Sequence, residues 1–496
     1  MTSVARGFVG QVGEVVASAR RVYAGTGGAA VVAEVEGRLA GPLRVALAGK
    51  VKAGKSTLLN ALVGEELAPT DAGECTRVPW WFRDGLTYRV TLHPKDGPPR
   101  PARFSRSDGA LDLDLGDLAA DDLDHIDVDW PSRALRTMTL IDTPGIASAT
   151  PALDDAARTF FQPDDERSGP ADAVVYLMRH LHAADVGFLE AFHDDGHADT
   201  TPVNSIAVLS RADELGVGRL DAMGSAARVA DRYRRDRRLS RLCQAVVPVA
   251  GLLAQAAATM REDEFRLVRQ LVDLPGPDLD ELLLSVDRFS ARPGPAPPAE
   301  RVALLRRFGM FGTRTAVQLV RDGRGASAPD LAAALLQVSG IEELRSLLVQ
   351  HFAGRSDLLK GRAALLAVAD LVRGQPVDGT DALAADVERV LAGAHELAEM
   401  RLLNALRTGD VTLGPAQDAE AVRLLGTEGQ DVRARLRLDP DATDDQLLAT
   451  FADVLGRWQR RAENPIATGV AVEAARILVR TCEALAGGLP RRDLIG

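Results

Sequence analysis

A chain of 496 residues exceeds a single comfortable hydrophobic core, so its length predicts about two to four domains. Apolar residues make up 46% of the sequence and charged residues 26%, a balance that excludes a largely disordered chain. The 70 acidic and 59 basic residues give a net charge of −11, which repels nucleic-acid backbones, so we expect no nucleic-acid partner.

The N-terminal segment has the apolar spacing of an amphipathic helix over residues 3–23. It lacks the continuous apolar stretch of a secretory signal. A second helix is predicted over 31–39. The three cysteines lie far apart in the chain, which is typical of a reducing compartment and predicts a cytoplasmic protein.

Short apolar runs separated by helical and loop segments predict a series of buried strands. These runs are residues 43–48, 138–141, 173–178, 205–209 and 245–249. Such alternation is typical of a doubly wound α/β fold, with a mostly parallel sheet between helices. We therefore predict one α/β domain over residues 41–290.

The second half of the chain changes in character after the proline-rich segment 291–299, which cannot continue a helix. Long helical periodicities follow, so residues 300–496 are predicted to form a helical bundle or stalk, with 291–299 as a hinge. Residues 1–40 would pack on this bundle, together with the helix predicted over 470–485.

The strongest motif is G-x-x-x-x-G-K-[ST] at residues 49–56, between the strand at 43–48 and a helix predicted over 57–62. Lysine occurs only at positions 50, 52, 55, 95 and 360, so three of the five lysines lie in this loop. Nearly every other cation in the chain is arginine, so lysine at these positions indicates a role for a compact ammonium group. Close contact with a phosphate is the role that this favours.

In this interpretation the loop amides and the helix N-terminus hold the phosphates of a nucleotide. Lys55 would reach the β- and γ-phosphates, and the Ser56 hydroxyl would bind Mg²⁺. The residues expected at the phosphates are Gly49, Lys50, Val51, Lys52, Ala53, Gly54, Lys55, Ser56 and Thr57.

Two further segments complete the predicted phosphate and magnesium site. Asp142 and Gly145 form a D-x-x-G sequence after the strand at 138–141. The carboxylate would hold Mg²⁺ through water, and the glycine amide would sense the γ-phosphate. Thr76, between the loop and this strand, is the candidate switch threonine. We expect Ser56, Thr76 and Asp142 to form the magnesium site.

The base is expected at Ser210, Arg211 and Asp213, which follow the strand at 205–209 where GTPases carry [NT]-K-x-D. The Asp213 carboxylate can accept both N–H donors of guanine, and the flat Arg211 side chain can cover the ring. This pattern favours GTP and GDP. The alternative is that Asp213 is only a helix N-cap. The Ala250 backbone would add a base-edge contact.

These residues resemble those of bacterial dynamin-like proteins, whose loops often read G-x-x-K-A-G-K-S-[ST]-L-[LV]-N, as at 49–60. The sequences TRVP at 76–79 and DTPG at 142–145, with helices on both sides, agree with the resemblance. It implies a dynamin-type GTPase domain over 41–290. It further implies a peripheral membrane protein at the inner face of the cell membrane, acting as a homodimer or with another dynamin-like protein.

The sequence departs from GTPase patterns at the residues that would orient the attacking water. Small GTPases place glutamine after D-x-x-G and dynamins place one in the loop, whereas this chain has Ile146 and Val51. Our hypothesis is that Lys52 supplies a cation to the phosphates, so that Lys52 and Thr76 are the catalytic residues.

Three functions are consistent with these motifs. The first is a GTPase whose hydrolysis drives membrane remodelling or membrane stress repair. The second is a GTP-gated scaffold that hydrolyses poorly and pairs with another dynamin-like protein. The third is a ribosome-associated GTPase, against which the acidic balance argues.

Overall fold

The computed structural model describes residues 3–69, 78–107, 110–145, 171–193, 204–215, 218–429, 431–486 and residue 489. It contains a nine-stranded sheet and a two-stranded hairpin. The strands are β1 (Leu43–Gly49), β2 (Trp80–Asp84), β3 (Arg89–Pro94), β4 (Arg100–Pro101), β5 (Arg103–Ser107), β6 (Ala110–Asp114), β7 (Leu123–Trp130), β8 (Met138–Asp142), β9 (Ala173–Met178), β10 (Ser205–Ser210) and β11 (Val246–Val249). The large sheet has the order β11-β10-β9-β1-β8-β2-β7-β3-β4, and β5 pairs with β6.

The centre of the sheet is parallel, with β11, β10, β9, β1 and β8 side by side. All five come from the predicted apolar runs, and each strand begins or ends within a residue of its prediction. The reason is burial on both faces, since every residue of β9 and β10 is buried. The predicted doubly wound, mostly parallel α/β fold is therefore confirmed.

The other half of the sheet, from β2 to β4, was not predicted. Strand β2 runs antiparallel to β8 and parallel to β7, and β3 is antiparallel to β7. Strands β3 and β7 alternate apolar and polar residues, as in the sequence LDHIDVDW of β7. Because these strands are buried on one side chiefly, they lack the continuous apolar runs on which the strand predictions were based.

The helices are α1 (Ser3–Val22), α2 (Ala29–Ala40), α3 (Lys55–Val63), α4 (Ala183–His193), α5 (Ala222–Arg234), α6 (Arg237–Ser240), α7 (Gly251–Ala258), α8 (Glu262–Val272), α9 (Gly276–Leu282), α10 (Val286–Ala291), α11 (Pro298–Arg321), α12 (Ala328–Val338), α13 (Ile341–Leu347), α14 (Ser356–Gly374), α15 (Thr380–Gly393), α16 (His395–Thr408), α17 (Pro415–Leu424), α18 (Val432–Leu436), α19 (Asp444–Ala462) and α20 (Gly469–Ala486). No helix in the described part of the chain is both long enough and apolar enough to cross a membrane.

Helices cover both faces of the sheet. On one face, α3 shares a core with α13, where Ile341 and Leu344 are completely buried beside Leu47 and Val208. On the other face, α4, α5 and α6 pack over Ala46, Tyr176 and their neighbours. A helix from the second half of the chain thus belongs to the core of the sheet domain.

The N-terminal helices α1 and α2 pack on α14 and α15 through a separate apolar cluster that includes Val12 and Leu365. We expected the helix at 470–485 to join them, but α20 packs instead around Trp458 with α16, α17 and α19. The N-terminal helices therefore belong to one apolar cluster of the helical half and α20 to another.

Two polar contacts fix α2 between the sheet and the helices. Arg38 forms a buried ion pair with Asp172, their nearest atoms 2.8 Å apart, at the start of β9. At the C-terminal end of α2, the Lys360 ammonium donates to the carbonyls of Leu39 and Gly41, both at 3.0 Å. A cation is stabilising there because the last helical carbonyls lack intrahelical donors.

Residues 292–297 of the proline-rich segment connect α10 to α11, and its remaining residues, 291 and 298–299, belong to the ends of those helices. One apolar cluster has members on both sides of it, including Leu279 and Phe289 before and Leu304 and Phe308 after. Helix α11 is kinked at Gly309, which has φ 65°. The hinge and the domain boundaries remain predictions. Apolar residues before and after the segment pack in one cluster.

The α1–α14 interface provides a test of this packing. A Cβ atom at Gly361 would lie 2.6 Å from Phe8 Cε1 and 3.2 Å from Val12 Cγ2. We expect Gly361→Val to lower the free energy of unfolding by about 1–3 kcal/mol, because overpacking displaces α1. Thermal unfolding measures this effect. Gly10→Val in α1, where the added carbon meets nothing within 4 Å, is the control and should have no comparable cost.

Candidate nucleotide and magnesium site

The loop between β1 and α3 has a backbone that requires its two motif glycines. Gly49 has φ 147°, and a Cβ there would lie 2.5 Å from the carbonyl oxygen of Leu177. Gly54, which directly precedes the first residue of α3, has φ 96° and so lies in the left-handed region that glycine adopts readily. The loop therefore wraps closely over the end of the sheet and leads directly into a helix N-terminus.

Helix α3 begins without a side-chain cap and without an acidic residue in its first turn. Its N-terminal amides therefore have no competing carboxylate from the first turn. A helix N-terminus carries partial positive charge, so this end of α3 is suited to an anion such as phosphate.

Lys55 is buried, with 9% of its surface exposed, and its ammonium donates to the carbonyl of Gly49 at 3.3 Å. Burial lowers the pKa of Lys55, and the nearby Asp142 carboxylate acts in the opposite direction. The cation is thus curled over its own loop, where the phosphates of a nucleotide would lie.

Asp142, at the end of β8, lies beside the first turn of α3. Its Oδ2 accepts a 2.6 Å hydrogen bond from the Ser56 hydroxyl. Its Oδ1 is buried and has no hydrogen-bond partner among the described residues. Burial raises the pKa of Asp142, while Lys55 and Ser56 oppose this shift. A carboxylate oxygen without a donor beside a hydroxyl oxygen suits Mg²⁺, which prefers oxygen ligands.

The D-x-x-G segment is held against the phosphate-binding loop. The Thr143 hydroxyl donates to the Leu47 carbonyl at 2.8 Å. At Gly145, an added Cβ would lie 2.5 Å from Val51 Cγ2 and 3.0 Å from the Val51 nitrogen. Only glycine permits this close approach of the D-x-x-G segment to the loop. Ile146 and Thr76 lie outside the described residues.

A cavity of about 150 Å³ joins the phosphate-binding loop to the predicted base segment. Its lining includes Ala53, Gly54 and Thr57 from the loop and helix, and Ser210, Arg211 and Asp213 from the end of β10. The structure therefore brings together two motifs that are about 150 residues apart, as a bound nucleotide requires.

At the end of the cavity lined by Asp213, the charged side chains are arranged around Glu214. Arg211, in the left-handed region at φ 52°, donates to Glu214 at 2.8 Å and to the Lys52 carbonyl at 3.1 Å. Arg179 also pairs with Glu214. Burial raises the pKa of Asp213, and the two arginines oppose it. Arg211 thus bridges the base segment and the phosphate-binding loop.

Two predicted residues have partners elsewhere in this structure, and a third is exposed. The Lys50 ammonium lies 3.2 Å from Asp185 Oδ1, so it is already paired with the start of α4. Lys52 is exposed, with φ 64°. Ala250 is completely buried, and its amide donates to the Ser339 carbonyl at 2.9 Å instead of facing the cavity. Its neighbour Gly251 lines the cavity in its place.

Ser339 and Gly340 were not predicted to lie at this site. They form the turn between α12 and α13, and a Cβ at Gly340, which has φ 79°, would lie 2.2 Å from the Pro248 carbonyl oxygen. In α13, Arg345 donates to the Ala61 carbonyl at the end of α3 at 2.7 Å. The end of β11 and the end of α3 are therefore held by α13 and by the turn before it, through contacts between residues far apart in sequence.

A glycine-rich loop before a helix and a D-x-x-G segment, both at the end of this sheet, define a P-loop GTPase domain. A family model described as the dynamin family matches residues 45–183. The chain is 41% identical over 451 residues to the isoniazid-induced protein IniC of Mycobacterium tuberculosis, covering 90% of each chain. The chain therefore belongs to the bacterial dynamin-like proteins, as the resemblance predicted, and is similar to IniC.

A second relative is the bacterial dynamin-like protein of Nostoc punctiforme, 33% identical over 117 residues, with 21% of this chain and 17% of the relative covered. A solved oligomerised bacterial dynamin pair aligns over 98% of this chain and 73% of its own, at 10% identity and a TM-score of 0.31. A similarity this low does not show how the parts of this chain are arranged.

Proposed function

We propose that this chain binds GTP and GDP with Mg²⁺, hydrolyses GTP, and uses the cycle to move its helices at a membrane. The observation that carries the proposal is the cavity between the phosphate-binding loop and Asp213. Phosphates would lie at Lys55 and the N-terminus of α3, and guanine at Asp213. Bound Mg²⁺ would supply charge neutralisation at the phosphates, held by Ser56, Asp142 and Thr76.

Coupling to the helices is supported by the contacts of α13. This helix is buried in the core of the sheet domain through Ile341 and Leu344, and Arg345 bonds to the end of α3. The chain then continues through Leu348–Phe352 and Ala353–Arg355 into α14, on which the N-terminal helices pack. A shift of α3 on nucleotide exchange would therefore be transmitted to α14 through packed contacts.

Dimerisation across the nucleotide face, or pairing with another dynamin-like protein, completes the proposal and follows from membership of the family. The location we propose is the cytoplasmic face of the cell membrane. A GTP-gated scaffold with slow hydrolysis is the second candidate, favoured by the absence of glutamine at Val51 and Ile146.

The guanine assignment is tested by Asp213→Asn. We expect GTP affinity to fall by about 100-fold, because the asparagine oxygen accepts from only one of the two guanine N–H groups while its NH2 opposes the other, and a hydrogen bond to a charged group is worth about 1.5–3 kcal/mol. Affinity for xanthosine triphosphate should rise, since the asparagine amide can donate to the extra carbonyl of xanthine. Nucleotide competition binding with Mg²⁺ measures both. The gain for xanthosine triphosphate shows that the variant folds; unchanged GTP preference would contradict the base assignment.

The Lys52 hypothesis is tested by single-turnover hydrolysis in the GTP-dimerised protein, with and without liposomes. Lys52→Gly tolerates the positive φ and removes the cation, so we expect a rate lower by about 100-fold, the loss typical of one preorganised donor. Lys52→Arg retains the cation and is the control. Equal rates in wild type and Lys52→Gly would remove Lys52 from catalysis, and slow wild-type hydrolysis in every condition would favour the scaffold.

Membrane contact is proposed at the loop between α19 and α20. Ile466 in this loop is 92% exposed, and Arg460 and Arg461 lie in the last turn of α19. An exposed isoleucine beside arginines suits an anionic lipid surface, where each cation adds about 1 kcal/mol. We expect Ile466→Asp to weaken sedimentation with anionic liposomes by about tenfold or more, because burying isoleucine is worth about 1.5–3 kcal/mol.

Leu86→Asp is the matched control for this experiment. Leu86 is also fully exposed, at 101%, but lies between β2 and β3 in the sheet domain. Its replacement should leave liposome binding unchanged. Equal binding by wild type and Ile466→Asp would place the membrane contact elsewhere.

A further inference from the structure

Strands β3 and β7 carry a polar cluster that the nucleotide site does not use. His93 on β3 and His125 on β7 are directly opposite in the antiparallel register. Their rings are stacked, with centroids 4.1 Å apart and planes inclined by 14°. Asp127 follows His125 by two residues, so all three side chains lie on the same face of the sheet.

The nitrogen atoms of both rings converge on one carboxylate. His93 Nε2 lies 3.0 Å from Asp127 Oδ2, and His125 Nε2 lies 3.6 Å from Asp127 Oδ1. One ligand atom from each residue can be chosen so that all lie within 4.8 Å of one another. Zinc bonds of about 2.0–2.2 Å place neighbouring ligand atoms in a tetrahedron roughly 3.3 Å apart. The cluster is therefore near the spacing of a metal site before any ion is bound.

The surroundings of His125 support this geometry independently. Its other nitrogen, Nδ1, lies 2.8 Å from Asp124 Oδ2. The Trp81 ring packs against it, with centroids 4.9 Å apart. A carboxylate on the second imidazole nitrogen is the usual support of a metal-bound histidine, because it fixes the tautomer and the ring orientation.

One cation near the cluster, Arg83, would compete with a metal ion for the Asp127 carboxylate. Arg83 Nη2 lies 3.0 Å from Asp127 Oδ1 and already neutralises part of the carboxylate. Its side chain is 35% exposed, so it can turn toward solvent. Burial and the neighbouring His125 lower the pKa of His93, whereas Asp127 raises it. The net shift favours the neutral imidazole, the form that binds metal.

We propose that His93, His125 and Asp127 bind a divalent transition-metal ion of the zinc class, through two imidazole nitrogens and one carboxylate oxygen. Imidazole ligands favour such ions over Mg²⁺ and Ca²⁺, which take oxygen. The ion would displace Arg83 from Asp127 and join β3 to β7. Only β2 lies between β7 and β8, the strand of Asp142. Asp142 is in register with Ile126 through Trp80, so His125 and Asp127, on either side of Ile126, lie on the opposite face of the sheet and this site is distinct from the predicted magnesium site.

The test is calorimetric titration of the full-length, chelator-treated protein with Zn²⁺, without nucleotide and with excess Mg²⁺ to occupy oxygen-rich sites. Co²⁺ titration followed by visible absorption reports the coordination. We expect one high-affinity Zn²⁺ per chain, a four-coordinate Co²⁺ spectrum, and a rise in Tm with Zn²⁺. His93→Ala and His125→Ala should each weaken binding by at least about tenfold.

The double variant His180→Ala/His182→Ala is the matched control. It also removes two imidazoles, whose rings are 6.4 Å apart and edge to face, and it should bind Zn²⁺ as wild type does. Arg83→Gln removes the competing cation and should tighten binding, and it decides the question if the histidine variants fail to fold. The proposal is overturned if wild type binds no Zn²⁺, if folded histidine variants bind it equally well, or if Arg83→Gln gives no tighter binding.

Discussion

The predicted nucleotide site depends on a small group of charged side chains that are enclosed where β1 and β8 meet the first turn of α3. The Lys55 ammonium is buried over the loop, and the Asp142 carboxylate receives one hydrogen bond from Ser56 while its other oxygen has no donor among the described residues. Removing charges from water is costly unless they are paired. Mg²⁺ and phosphate would supply the missing partners, so binding of the proposed nucleotide would offset this cost.

That local constraint is connected to the rest of the molecule through a shared core. Helix α13 packs against the same face of the sheet as α3, and the turn before it contacts the end of β11. Interiors are densely packed, so α3 cannot shift without displacing its neighbours. The sheet domain and the helices beyond the proline-rich segment therefore share a mechanical contact, which is what a nucleotide-driven motion requires.

Several features followed from local sequence alone. The five central strands were predicted because both of their faces are buried, which leaves continuous apolar runs. The phosphate-binding loop was predicted because its glycines meet local backbone requirements, visible in the φ angles of Gly49 and Gly54. Strands β3 and β7 escaped prediction because alternating sequences such as RVTLHP lack the continuous apolar runs on which the strand predictions were based. The contacts of Lys50 with Asp185 and of Ala250 with Ser339 were not predicted because these partners are distant in sequence.

The sequence by itself determined that a phosphate-binding strand, loop and helix precede a helical half, since these depend on residues within about one turn or strand of each other. Only the tertiary structure decided what meets across long separations. It placed Ser339 against Ala250 at the end of β11 and set His93 opposite His125, with Asp127 beside them. Such pairs depend on strand order and register, which are set by the packing of the whole chain. They therefore produce no regular spacing of residues in the sequence from which they could be predicted.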